Sequence, residues 1–271
     1  VSTMQLALLI SLLAGLATTI GGVLVIQRKS LGREFLAVAL AFAAGAMVLI
    51  SFMQVLPLGI TWMTQTYPRA TAEALVFLAF FAGIVLVLVI DRLLPSSLNP
   101  SEIEGREGAM QSDDEARNTR LLRSGLLVGL VLGLHNFPEG MATFFTTYQD
   151  PRVGITLAVA VAIHNVPEGI AVAAPVYAAT GSRKKALGWA TVSGLTEPIG
   201  ALVAAALISW VVPESVLGLF YGLVAGMMVF LALDEMLQAS WRYQTDKHQT
   251  IYGMVAGMAT VAASLVLFAA S

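Results

Sequence analysis

The block His135-Asn136-Phe137-Pro138-Glu139-Gly140 recurs 29 residues later as His164-Asn165-Val166-Pro167-Glu168-Gly169. Both copies sit inside apolar sequence. In a helix, the His and Glu of each block are four residues apart and share a face, with Asn beside them. Each proline lacks an N–H, so the carbonyls of Leu134 and Ile163 lose their helical partners. Such carbonyls need water, a side chain or an ion. A kinked, polar helix at mid-membrane is a recurrent way to build an ion site. Two helices of this kind side by side supply two imidazoles and two carboxylates. That set suits zinc and other first-row divalent ions. Calcium or magnesium would favour all-oxygen sites. A lone His-x-x-x-Glu pair can serve merely to join helices. Two full copies point to a metal.

A third carboxylate and a third intrahelical proline follow in Thr196-Glu197-Pro198, which frees the carbonyl of Gly194. Glu197 reads as a further ligand or as a bridge between two ions, with Ser193 and Thr196 lining the path. Three carboxylates at close range repel one another. A dication relieves that repulsion, so proton release on binding is expected. Asp234 and Glu235 are adjacent and cannot share one helix face. They serve either metal exit or the headgroup interface. Met53 is either a soft transient ligand or packing, with Ser51 and Gln54 on the same helix before Pro57. His248 falls in a polar connection and is taken as solvated.

The elements that must carry these residues are membrane helices. Hydrophobic residues make up 57% of the 271-residue chain and charged residues 12%. Strand-like alternation is missing, which excludes a β-barrel. The net charge of -2 offers no basic field for nucleic acid. The chain has no cysteine, so thiolate ligands and disulfides are excluded. The expected fold is all-α, one transmembrane domain over residues 1–271. Eight spans are read at about 4–26, 34–57, 71–94, 121–147, 151–179, 184–211, 214–238 and 249–271, with kinked helices four and five in the bundle core. The first span is read as retained rather than as a cleaved leader. Thirteen of the 15 basic residues fall in alternate connections, which places those connections in the cytoplasm and both termini outside. Residues 95–120, rich in Pro, Ser and mixed charge, read as a mobile cytoplasmic loop. Glycines repeat at close-packing spacing: Gly125, Gly129 and Gly133; Gly218, Gly222 and Gly226; Gly253 and Gly257. They form either helix contacts or sliding surfaces, and they leave a homodimer open.

HNFPEG at 135–140, HNVPEG at 164–169 and TEP at 196–198 carry a resemblance, supported by MVLISFMQVLP at 47–57 and GLVAGMMVFLALDEM at 222–236. The chain resembles the ZIP (Zrt/Irt-like) family of divalent metal transporters over essentially its full length, and within it the bacterial zinc-uptake branch. The resemblance implies eight helices with both termini outside and a long cytoplasmic loop after the third. It implies import of zinc, often also of iron, manganese, cobalt or cadmium. By resemblance, His135, Glu139, His164 and Glu168 hold one ion. Asn136, Asn165 and Glu197 complete a second site, with Glu139 and Glu168 bridging. Met53 matches a position facing the first site, and Asp234 and Glu235 match a pair on the release side. The family is also thought to move a transport bundle against a scaffold. Three departures stand out. The long loop lacks histidines, Gln54 stands where close relatives carry an acid, and Asp234 replaces a histidine common in other branches.

The function expected is inward transport of a divalent metal across a bacterial inner membrane by alternating access. A selective channel with the same ligands is the alternative, because sequence does not separate channel from carrier. An intramembrane metallohydrolase lacks its His-Glu-x-x-His hallmark, so no enzyme is expected. The partners implied are metal ions and the lipid bilayer.

Overall fold

The computed structural model describes residues 2–27, 32–93, 114–207 and 213–269. Every regular element among them is helical. The order is α1 Thr3–Gln27, α2 Arg33–Ile50, a π-helical turn at Ser51–Val55, α3 Leu56–Met63, α4 Arg69–Leu93, α5 Asp114–Gln149, α6 Pro151–Thr180 and α7 Arg183–Leu207. After these come α8 Glu214–Leu231, a second π turn at Ala232–Met236, α9 Leu237–Tyr243 and α10 Gln249–Ala269. Among the described residues, seven helices are long and apolar enough to cross a membrane, counting the rods at Arg33–Met63 and Ser215–Tyr243 as one each. The polar-block helix α5 is not one of the seven, but it packs among them.

The expected spans correspond to these helices, except that the seventh, expected to end at 238, runs on to Tyr243, and except at two further places. The second was expected to stop at Pro57, yet the rod runs on to Met63. In the π turn the Leu56 N–H reaches back to the Ser51 carbonyl, five residues away. The wider turn adds a residue just before the proline, and the rod continues past it. The other place is α5, which begins at Asp114. Residues 114–120, expected as loop, are therefore helical. The rest of the expected loop, through residue 113, lies outside the described residues.

The helices fall into two packed groups. Helices α1, α5, α6 and α7 contact one another, as do α2, α3, α4, α8, α9 and α10. The groups meet mainly where α2 lies on α6. The crossings inside the first group are backbone to backbone. A Cβ on Gly140 would collide with the Glu197 carbonyl, and one on Gly200 with the Phe137 carbonyl. Gly169 and Gly21 meet in the same reciprocal way at the α1–α6 crossing, against Thr18 and Val166. The expected glycine faces are contact faces too. Gly129 meets Val172, Gly133 meets Thr196, Gly226 meets Phe80 and Gly257 meets Phe42. Without side chains at these points, helices approach to van der Waals range, which drives association in lipid.

A one-residue turn reverses α5 into α6. Asp150 caps α6, its Oδ1 accepting from the N–H groups of Arg152 at 2.9 Å and Val153 at 3.3 Å. Pro151, with no N–H to satisfy, starts the helix. This hairpin lays the two polar blocks against each other in opposite directions.

Candidate metal-ion site

Because the blocks run antiparallel, the His of each faces the Glu of the other. His135 Nε2 lies 3.3 Å from Glu168 Oε1, and His164 Nε2 lies 3.1 Å from Glu139 Oε1. His164 Nε2 is also 3.9 Å from Glu168 Oε1, which ties the two pairs into one group. All four side chains are buried. They lie next to Pro138 and Pro167, both inside continuous helices.

The second layer comes from the asparagines. Asn165 Nδ2 donates to Glu197 Oε2 at 2.8 Å and to the Ala14 carbonyl at 2.9 Å. Asn136 Nδ2 makes a long contact, 3.5 Å, with the Ser193 carbonyl. Glu197 is thereby held beside α6 and α1. Its helix α7 also rests on α5 through Gly140 and Gly200. Four helices thus converge on seven of the ten residues expected from sequence: His135, Asn136, Glu139, His164, Asn165, Glu168 and Glu197.

What these side chains leave unsatisfied is the most informative feature. His164 Nδ1 donates to the Ala160 carbonyl at 3.2 Å, because a carbonyl can only accept. In the neutral ring Nε2 is then a lone pair, and it points at a carboxylate. Both oxygens of Glu139, Glu168 Oε2, Glu197 Oε1 and the side-chain oxygens of Asn136 and Asn165 are buried without any hydrogen-bond partner. Buried polar groups are normally paired, and unpaired ones carry a large desolvation penalty. Among the described residues no lysine or arginine is buried to offset the three carboxylates. The unpaired atoms include six acceptor oxygens, the atom type that a cation could satisfy.

Nitrogen and oxygen ligands, each about 2.0–2.1 Å from a tetrahedral zinc, stand roughly 3.3–3.4 Å apart. The two crossed pairs are close to that edge length. Among the described residues, however, no three His, Asp or Glu side chains already surround one point as a finished metal site. Each imidazole leans on a carboxylate.

The remaining three residues lie apart from this group. Met53 is 61% exposed on the first π turn, whereas its neighbour Gln54 is buried with Oε1 unpartnered. The π turn moves the methionine off the buried face and puts the amide there. Asp234 and Glu235 sit half-buried on the second π turn, and Asp234 Oδ1 accepts from Gln238 Nε2 at 2.8 Å. His248 is exposed in the α9–α10 connection, as expected. Sequence reasoning missed Thr18 and Thr143, two fully buried hydroxyls with no partner. The signal was weak, since threonine is unremarkable in an apolar helix.

Apolar helices packed around a buried imidazole–carboxylate cluster define a multi-pass membrane protein with polar chemistry at its helix crossings. The chain belongs to the ZIP zinc transporter family. The family model described as "ZIP Zinc transporter" matches residues 96–265. The chain is 46% identical over 268 residues to the zinc transporter ZupT of Corynebacterium efficiens, covering 98% of each. It is 43% identical to the zinc transporter ZupT of Streptococcus mutans over 97% of each chain. With the zinc transporter ZupT of Xanthomonas axonopodis pv. citri it shares 45% identity, over 97% of this chain and 94% of that one.

Proposed function

We propose that the protein carries divalent metal ions, zinc foremost, into the cytoplasm across a bacterial inner membrane. The observation that carries this reading is the pair of crossed His–Glu contacts, 135 with 168 and 139 with 164, ringed by unpartnered oxygens. Their ligand chemistry extends to iron, manganese, cobalt and cadmium, because first-row affinities overlap. Glu139 has two free oxygens and lies between the histidine layer and the Asn136, Asn165 and Glu197 layer. It therefore suits a bridge between two adjacent ions, with Glu168 as its counterpart. The protein works as a transporter and not as an enzyme.

On this reading α5 is the fourth span and brings the total to eight, and both termini face outward, in keeping with the distribution of basic residues. Residues 1–271 form one transport domain, with the 95–120 region as a cytoplasmic connection. Release passes Glu197 toward Asp234 and Glu235, and Met53 with Gln54 flanks the approach. Alternating access is the transport mode this reading carries, with burial of the cluster as its support; a selective channel using the same ligands is the alternative.

Uptake of radiolabelled zinc into proteoliposomes tests this. His164→Ala and Glu168→Ala each remove one half of a crossed pair and should abolish saturable uptake. Wild-type uptake in both variants would overturn the assignment. Flux that fails to saturate and runs at pore rates would replace the carrier with a channel.

A further inference from the structure

Ten serine and threonine side chains are buried among the described residues. Seven of them find partners. Ser11, Ser51, Thr146, Thr147 and Ser264, for example, donate to a carbonyl of their own helix. That is the usual resting place of a helical hydroxyl in an apolar environment. Three have no partner: Thr18, Thr143 and Ser193. All three lie one helical turn from a residue of the cluster or from the acceptor of its asparagine. Thr143 follows Glu139 by four, Ser193 precedes Glu197 by four, and Thr18 follows Ala14 by four.

Thr18 and Ser193 share one level. Helices α1 and α7 run antiparallel, with Gly15 against Gly194 and Gly22 against Ala190. A Cβ built on Gly194 would stand 3.1 Å from Thr18 Oγ1, so the glycine lets α7 pack close to that hydroxyl while offering it no side-chain partner. Thr18 would ordinarily bond the Ala14 carbonyl, but that carbonyl receives Asn165 Nδ2. Thr196, the other hydroxyl on this stretch, is spent on the Ser193 carbonyl at 2.6 Å. The Asn136 side-chain oxygen, also unpartnered, belongs to the same level, since its amide meets Ser193.

We propose that Thr18 and Ser193 supply a neutral-oxygen station, one turn beyond Glu197 on the N-terminal side of α5, that receives the metal ion as it leaves the carboxylates. The proposal rests on the transport reading above. Neutral hydroxyl and amide oxygens bind a divalent ion more weakly than carboxylate or imidazole. A path must hold its ion loosely enough at successive sites to let it go. An ion stepping from three carboxylates directly into apolar packing would meet a steep barrier, and the hydroxyl pair lowers it. Thr18 also makes α1, which carries none of the expected ligands, part of the path.

The test compares Thr18→Val, which keeps shape and removes the hydroxyl, with Thr18→Ser, which keeps the hydroxyl. Maximal zinc uptake in proteoliposomes should fall about five- to tenfold for Thr18→Val, the kinetic equivalent of one lost contact of hydrogen-bond strength. Thr18→Ser should restore most of the rate. Thr18→Val should melt no earlier than wild type, because an unpartnered buried hydroxyl is exchanged for a methyl group. Wild-type uptake in Thr18→Val overturns the proposal, and so does equal slowing in both variants or slowing with earlier melting, which report packing. Glu168→Ala, run in parallel, separates the two readings. If it transports like wild type, the cluster itself is misassigned, whatever Thr18 does.

Discussion

Gly140→Ala is the sharpest probe of how the site is held. The new Cβ would sit 2.6 Å from the Glu197 carbonyl carbon and 2.8 Å from its Cα, besides overlapping the carbonyl oxygen. Carbon atoms pack best at about 3.5–4.0 Å, so α5 and α7 must separate by roughly 1 Å. Both partners at this point are helical backbone, which has no rotamer to change. Inserting a methyl group into such a contact costs about 1–3 kcal/mol. The functional loss should be larger than the loss of stability. Metal sites tolerate displacements of about 0.2 Å in their ligands. A 1 Å shift carries Glu197 away from Glu139 and Asn136 and disables the second layer. We expect Gly140→Ala to insert into membranes, to melt earlier in detergent and to lose more than about nine-tenths of its zinc uptake, as ångström-scale misplacement of reacting groups does elsewhere. Gly188→Ala is the control on the same helix α7. No atom lies within 4 Å of its added Cβ, so it should be neutral or stabilising by up to about 1 kcal/mol through helix propensity. Wild-type melting and uptake in Gly140→Ala would refute the argument that the crossing fixes the carboxylates.

Two further outcomes follow. Tyr221 is fully buried, and its hydroxyl lies 2.8 Å from Thr146 Oγ1 and 3.2 Å from the Ala142 carbonyl, linking α8 to α5. Tyr221→Phe should cost about 1 kcal/mol, because Thr146 keeps its own bond to Ala142, and chemical denaturation in detergent would read the change. Zinc should raise the melting temperature of the wild-type protein, by an amount equivalent to about 2.7 kcal/mol at a hundredfold excess over the dissociation constant. A His164→Ala, Glu168→Ala double variant should show no such rise.

The site was legible in the sequence because its polarity stands against an apolar background. His135, Glu139, His164 and Glu168 announce themselves by costing too much to bury without purpose. Their crossed pairing depends on the Asp150-Pro151 reversal, whose capping chemistry is local and visible. Other features were hidden by backbone geometry. Within the π turn at Ser51–Val55 Met53 faces outward and Gln54 inward, and no side-chain pattern announces the extra residue. The rod beyond Pro57 was missed for the same reason. Thr18 was invisible because its meaning lies in a bond it does not make. That follows only from Asn165, 147 residues further along the chain, engaging the Ala14 carbonyl.

The fold-back of α5 onto α6 turns a repeated word into a palindrome of ligands. Rotate the hairpin half a turn about an axis across the two helices, and His135 takes the place of His164 and Glu139 that of Glu168. On the proposed transport reading, an ion held by these four groups would meet the same chemistry from either side. By themselves they define no direction of travel. The dyad is broken around them, by the single carboxylate of α7, tied to Asn165 while Asn136 reaches only a backbone carbonyl, and by His164 Nδ1, which bonds the Ala160 carbonyl.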